Sequence, residues 1–309
     1  MQRNLKSKSK CVSRLLREIL GGLVCAAVLA VVVSDAEGQN VFESDFWSGN
    51  IYAITPDGVQ STFATGLYYP TALAFNSAGN LFVADSHGNI NEFTPGGVQS
   101  TFASGLYAPT ALAFDRAGNL FVTAGNAGNI FEYTPDGVQS TFATGLGGPT
   151  GLVFDSAGNL FEADLTLEGN IYEFTPGGVQ STFASGLYSA TGLAFDNTGN
   201  LFVLDGYGGS IYEFTSSGVE STFATSLYYP YSIAFNGNDD LFVAGIDSII
   251  EITPDGAQST FASISGNRVA FEPTPEPSIF GLLAFGTSVV LVLRRHVKKV
   301  SPNSSPNEQ

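Results

Sequence analysis

Residues 69–102 read YPTALAFNSAGNLFVADSHGNINEFTPGGVQSTF. Four runs of about five residues, rich in Phe, Val, Ile, Leu and Thr, alternate with turn residues, the pattern of four short strands. The first turn begins at Asn76 and ends at Gly79, which suits a type I turn whose Gly takes positive φ. In the turn from Thr94 to Gly97, Pro95 pre-sets φ and Gly97 supplies the reversed one.

The unit recurs along the chain. Its Ser-Thr-Phe segment places Phe at 63, 102, 142, 183, 223 and 261, in steps of 38 to 41 residues. A period near 40 is that of a four-stranded propeller blade. The first strand type ends at Phe75, Phe114, Phe154, Phe195, Phe235 and Phe271, and the second begins at Val41, Leu81, Leu120, Leu160, Leu201 and Leu241. The chain therefore enters on the second strand type and leaves on the first. Residues 267–272 must complete the blade formed by residues 41–65, a closure that removes two free sheet edges. The expectation is an all-β, six-bladed β-propeller over residues 40–272, its N- and C-terminal strands sharing one blade.

The segment from Tyr69 to Asp85, above all GNLFVAD at residues 79–85, resembles the NHL repeat in all six units. It is also similar to the wider group of senescence-marker/gluconolactonase proteins and virginiamycin B lyase. The resemblance implies a propeller that binds ligands or, in some members, carries metal-dependent lactonase or lyase chemistry. NHL repeats often carry a basic residue just before the third strand. Here that position is Asn50, Asn89, Asn129, Asn170, Ser210 or Ser248, which does not support a basic RNA-binding face.

Charge points the same way. Between residues 37 and 272 there are 24 acidic residues and two basic ones, Arg116 and Arg268, a formal charge of −22. Such acidity argues against nucleic acid as a partner. With 44% hydrophobic and only 13% charged residues, the chain is not a disordered polyelectrolyte.

The ends read as addresses. Arg3, Lys6, Lys8, Lys10, Arg14 and Arg17 precede an apolar run over residues 19–33 and a small-residue exit at Ser34 to Ala36, the layout of a signal peptide over residues 1–36. Cys11 and Cys25, the only cysteines, lie inside it, so a cleaved chain has neither thiol nor disulfide. At the other end, Pro275-Glu276-Pro277 is followed by an apolar run over residues 278–293 and by Arg294 and Arg295. This order resembles the PEP-CTERM sorting signal. It implies a transmembrane helix within residues 273–299 as a transient membrane anchor, an exosortase-type processing enzyme as partner, and delivery to the cell surface or an extracellular matrix. Residues 300–309 read as a disordered tail.

Few residues of the propeller carry chemistry. It contains no Lys, and its one His, His87, falls in a hairpin turn, so a Ser-His-Asp triad or a His-rich zinc site has little to build on. Asp45, Asp85, Asp164 and Asp205 end the second strand of four units, and the connections between units carry Tyr69, Tyr107, Tyr188 and Tyr229. Together they suggest an acidic, Tyr-rich rim on one face, a candidate site for a polysaccharide or protein ligand. The competing reading is that each Asp caps its own turn and each Tyr packs between blades. Glu43 and Glu162 stand in the second strand where other units have Val. They are the residues to test for a divalent metal or acid/base role, with a position toward the blade edge as the alternative. The Glu row at 92, 132, 173, 213 and 251 repeats in five units and reads as a solvated strand face; residues 236–240 read as a turn. The reading leans to a non-enzymatic binding or scaffold module without a required cofactor; the alternative is a gluconolactonase-like, metal-dependent hydrolase using channel carboxylates.

Overall fold

A computed structural model describes residues 38–166, 169–264 and 268–273. The expected signal peptide, the sorting segment with Pro275, Glu276, Pro277, Arg294 and Arg295, and the tail lie outside the described residues. Among the described residues no helix is long and apolar enough to cross a membrane.

The described chain is 24 strands in six four-stranded antiparallel sheets. It opens with β1 (Val41–Asp45), β2 (Asn50–Ile54) and β3 (Gln60–Ala64). The second blade is β4 (Pro70–Phe75), β5 (Leu81–Asp85), β6 (Ile90–Phe93) and β7 (Gln99–Ala103), and the third is β8 (Pro109–Phe114), β9 (Leu120–Ala124), β10 (Asn129–Tyr133) and β11 (Gln139–Ala143). The fourth is β12 (Pro149–Phe154), β13 (Leu160–Asp164), β14 (Asn170–Phe174) and β15 (Gln180–Ala184). The fifth is β16 (Ala190–Phe195), β17 (Leu201–Asp205), β18 (Ser210–Phe214) and β19 (Glu220–Ala224). The sixth is β20 (Pro230–Phe235), β21 (Leu241–Gly245), β22 (Ile249–Ile252) and β23 (Gln258–Ala262). The last strand, β24 (Arg268–Phe271), returns to the first blade, whose order is β24-β1-β2-β3. Val41 pairs with Phe271 and Ser44 with Arg268, the closure the repeat count predicts.

The same aromatic contact is made six times. Phe82 meets Phe102 of its own blade and Phe114 of the next, edge to face, at 5.1 and 4.9 Å. The last copy, Phe242 with Phe261 and Phe271, carries the pattern across the closing blade. Each such pair contributes about 1 kcal/mol beyond the area it buries. The second strands are buried along their length, apart from Asp45 at the end of β1, because sheets packed on both faces leave them no solvent side.

Connections between blades are pinned by backbone. Leu106 N donates to Gly88 O at 3.1 Å, and the equivalent bond joins Leu67 to Gly49. Gly88 has φ +83°, and a Cβ there would lie 1.9 Å from Leu106 O, so only glycine lets the two segments meet. The turn glycines Gly79 and Gly97 also take positive φ, as their turn types require.

Candidate functional site

The second strands end on the face that carries the inter-blade connections, and here the four aspartates find their partners. Asp85 Oδ1 accepts from His87 N and Asn89 N, each at 3.0 Å, and its Oδ2 accepts from the side-chain amides of Asn89 and Asn91, each at 3.2 Å. Asp45 Oδ1 accepts from Trp47 N and Ser48 N, and Asp205 Oδ1 from Tyr207 N and Gly208 N. Asp164 Oδ2 accepts from Gly147 N at 2.7 Å, tying its strand to the preceding connection. Asp85, Asp164 and Asp205 are buried. These carboxylates organise the turns beneath the face and do not form an acidic rim.

What the face displays is aromatic. Tyr107, Tyr188 and Tyr229 are exposed and Tyr69 is half-buried. Beside them stand residues the sequence reading did not select as ligand candidates: Trp47 at 75% exposure, Tyr207 at 80%, and Tyr68 and Tyr228. They sit in the turn after the second strand or in the connection that lies against it. Position relative to the strand-ending Asp was the signal available to find them.

The densest part spans blades one and two. Phe46 lies 4.9 Å from Tyr69 and 5.2 Å from Trp47, and Tyr68 is 4.6 Å from Tyr69. His87 stacks on Tyr68 with centroids 3.5 Å apart and planes within 4°. The turn histidine is thus exposed but held as part of a continuous ring surface. Across the face, Tyr188 meets Tyr207 at 6.3 Å and Tyr228 meets Tyr229 at 4.9 Å. The connection into blade four has Gly147 where Tyr68, Tyr107, Tyr188 and Tyr228 stand in the others, with Gly148 beside it, so the array is interrupted there. Tyr69 and Tyr229 hold φ of +49° and +43°, uncommon for bulky residues.

The central channel has different chemistry. A cavity of about 340 Å³ is lined by the six innermost strands, with Thr110, Gly151, Gly192, Leu193 and Ser232 among its walls. Among the described residues Arg268 is the one charged residue in that lining, and no carboxylate contributes to it. Arg268 Nε donates to Thr71 O and Nη1 to Tyr231 O, both at 2.8 Å. Glu43 and Glu162, the residues picked out for a metal or acid/base role, belong to β1 and β13, one strand out from the axis, and are sealed between blades. Nor do they lie toward a blade edge, since both are fully buried. Burial, reinforced by Asp45, pushes the Glu43 carboxyl up to about 8, and burial with Asp164 pushes Glu162 up to about 9. The repeated Glu row is half-buried, not solvated: Glu92 accepts from Asn80 at 2.7 Å and Glu213 from Asn200 at 3.0 Å.

No family model matches the chain, and no curated protein matches it in sequence. Solved structures do match in shape. Virginiamycin B lyase from Staphylococcus aureus superimposes with a TM-score of 0.58 at 19% identity, over 73% of this chain and 84% of that one. A streptogramin B lyase structure gives 0.60 at 18%, over 76% and 87%. A gluconolactonase from Xanthomonas campestris gives 0.60 at 14%, over 75% and 88%. At these identities the likeness is one of fold: an all-β six-bladed propeller shared with lyases and lactonases.

Proposed function

We propose that the chain is an exported, surface-sorted propeller that binds carbohydrate polymer through its connection face. The observation that carries this reading is the set of aromatic rings gathered there, the exposed Trp47, Tyr68 and His87 packed around the half-buried Phe46 and Tyr69. Flat rings stack on the C–H faces of sugars, and phenol hydroxyls at their margins bond the sugar hydroxyls. The rings are distributed over several connections and turns of the face, which suits a polymer better than a small molecule. Export and sorting are supported by the terminal segments, whose order of basic, apolar and Pro-Glu-Pro elements brackets the propeller.

The hydrolase alternative has less behind it. A divalent metal in the channel needs oxygen or nitrogen donors converging there, and the lining offers aliphatic, small and hydroxyl side chains around Arg268. That donor set does not fit a catalytic cation.

Trp47 is the only tryptophan in the chain and stands in the proposed site, so its emission reports binding directly. Titration with neutral and amino-polysaccharide fragments is expected to shift that emission. Affinity electrophoresis is expected to show retardation that falls in Trp47→Ala and Tyr68→Ala. Unchanged emission and mobility across such polymers, with binding instead to a protein partner, would remove the carbohydrate reading. Sorting is checked by mass spectrometry of surface-released protein, with a new C-terminus expected near Pro277; intact termini on all released chains would refute it.

A further inference from the structure

Glu43 and Glu162 are not isolated substitutions. Each belongs to a set of four oxygen-bearing side chains on one face of one blade. In the fourth blade Glu162 pairs across the strands with Tyr172, and Asp164 with Asn170. In the first blade Glu43 pairs with Tyr52, and Asp45 with Asn50. The side-chain contact repeats as well: Asn170 Nδ2 donates to Tyr172 Oη at 3.0 Å, and Asn50 Nδ2 to Tyr52 Oη at 3.0 Å. No other blade has all four residues; the corresponding residues are Val83 and Asn91, Val122 and Phe131, Val203 and Tyr212, and Val243 and Ile250. The two blades that have the set are three apart, on opposite sides of the ring.

In both places the glutamate is sealed without a partner, whereas Asp45 is half-buried and accepts from Trp47 N and Ser48 N, and Asp164 accepts from Gly147 N through one oxygen only. Both oxygens of Glu43, both of Glu162, Asp164 Oδ1 and Thr166 Oγ1 are buried and accept no hydrogen bond. Glu43 and Glu162 have no exposed surface, and Asp164 has 1%. The contrast with blade two is instructive, because there the same Asp position, Asp85, is satisfied by two side-chain amides and the neighbouring position is Val83. A buried carboxylate without a partner is costly, so it takes up either a proton or a counter-ion, and unsatisfied oxygens beside a second carboxylate offer a place for the latter.

We infer that each of these two sets is a structural site for a hard divalent cation of the calcium class, held between neighbouring blades. Two carboxylates supply up to four oxygen ligands and neutralise the ion's charge, and the Tyr hydroxyl and water complete the shell. The ion ties the second strand to the third beneath the connection face. At Asp164 it also sits under the connection that Gly147 anchors. The inference is independent of the carbohydrate reading, since it concerns the space between blades.

The full chain, stripped with EDTA and passed into chelator-free buffer, provides the test. Added Ca²⁺ is expected to raise the melting temperature by several degrees at millimolar ion. Tb³⁺ is expected to luminesce on excitation of the tyrosines, since Tyr52 and Tyr172 border the ions. Metal analysis after dialysis against Ca²⁺ is expected to return two ions per chain. Glu162→Gln and Glu43→Gln each remove one ion, and the double variant loses the thermal response. Should a variant fold poorly, the metal count and Tb³⁺ signal of the unaltered chain decide the matter alone. An unshifted melting curve with Ca²⁺ and Mg²⁺, together with no bound metal, overturns the inference and leaves protons as the occupants of these carboxyls.

Discussion

Ser226 holds φ +65° at a position where other inter-blade connections place Gly66, Gly105, Gly145 and Gly186 at φ +83° to +88°. A side chain in that left-handed region costs about 1 kcal/mol, so Ser226→Gly is expected to raise the melting temperature by roughly 2–4 °C. A calorimetric scan checks it, and a lower melting temperature would show that the Ser hydroxyl has a role of its own. Titration of Glu43 and Glu162 gives a second prediction at this scale. Both carboxyls are raised in the folded chain, to about 8 and about 9, by burial first and by Asp45 or Asp164 second. The folded state therefore binds protons that the unfolded state has already released. Stability is fully present below the ordinary carboxylate range and declines as pH rises through the folded values. In EDTA, melting temperature is expected to fall from pH 5 toward pH 9, with the Glu43→Gln/Glu162→Gln double variant losing most of that slope. An equal slope in the variant would assign it to general repulsion among the acidic residues instead.

The closing strand is the element on which the ring depends. β24 brings four residues, and Arg268 at its start reaches carbonyls of both flanking blades, Thr71 in one and Tyr231 in the other. Removing the guanidinium takes away charge-assisted bonds and strands two carbonyls, a loss of about 3 kcal/mol. Arg268→Ala is thus expected to lower the melting temperature by roughly 6–12 °C, measured with Trp47 emission as probe; a shift within error would show that strand pairing alone holds the seam. How much of this is legible in sequence follows from range. The blades, the turn glycines and the shared first blade can all be read, because a unit repeated every 40 residues or so states its own strand order and leaves a remainder at each end. The cap at Asp85 is equally local, since it bonds amides two and four residues on, whereas Asp164 is tied to Gly147 of the preceding connection. The aromatic face is half legible. Tyr69, Tyr107, Tyr188 and Tyr229 follow from the connections, whereas Trp47 and His87 join them only when the turn of one blade meets the connection leading to the next. The setting of Glu43 and Glu162 is not local at all. Val in the other units marks the position as buried, but only the neighbouring blade shows that nothing there answers the charge.

At the scale of the whole molecule, charge and ring surface are separated. The propeller carries a formal −22, while its connection face displays mainly neutral rings, with Asp85, Asp164 and Asp205 buried beneath it and Asp247 exposed in the turn after β21. The long-range field repels polyanions and attracts cationic or neutral polymers, and salt weakens that field within about 10 Å at 0.1 M. Contact by stacking is insensitive to salt. Binding of a neutral glucan at the Trp47 platform is therefore expected to change by less than about twofold between low and high salt, because the field does no work on an uncharged chain. An amino-polysaccharide is expected to bind more tightly at low salt and to converge on the neutral polymer as salt rises, and a polyanion to gain only as salt rises. Trp47 emission measured across a salt series distinguishes these three curves. A neutral glucan whose binding collapses with salt would place recognition on the carboxylates and away from the rings.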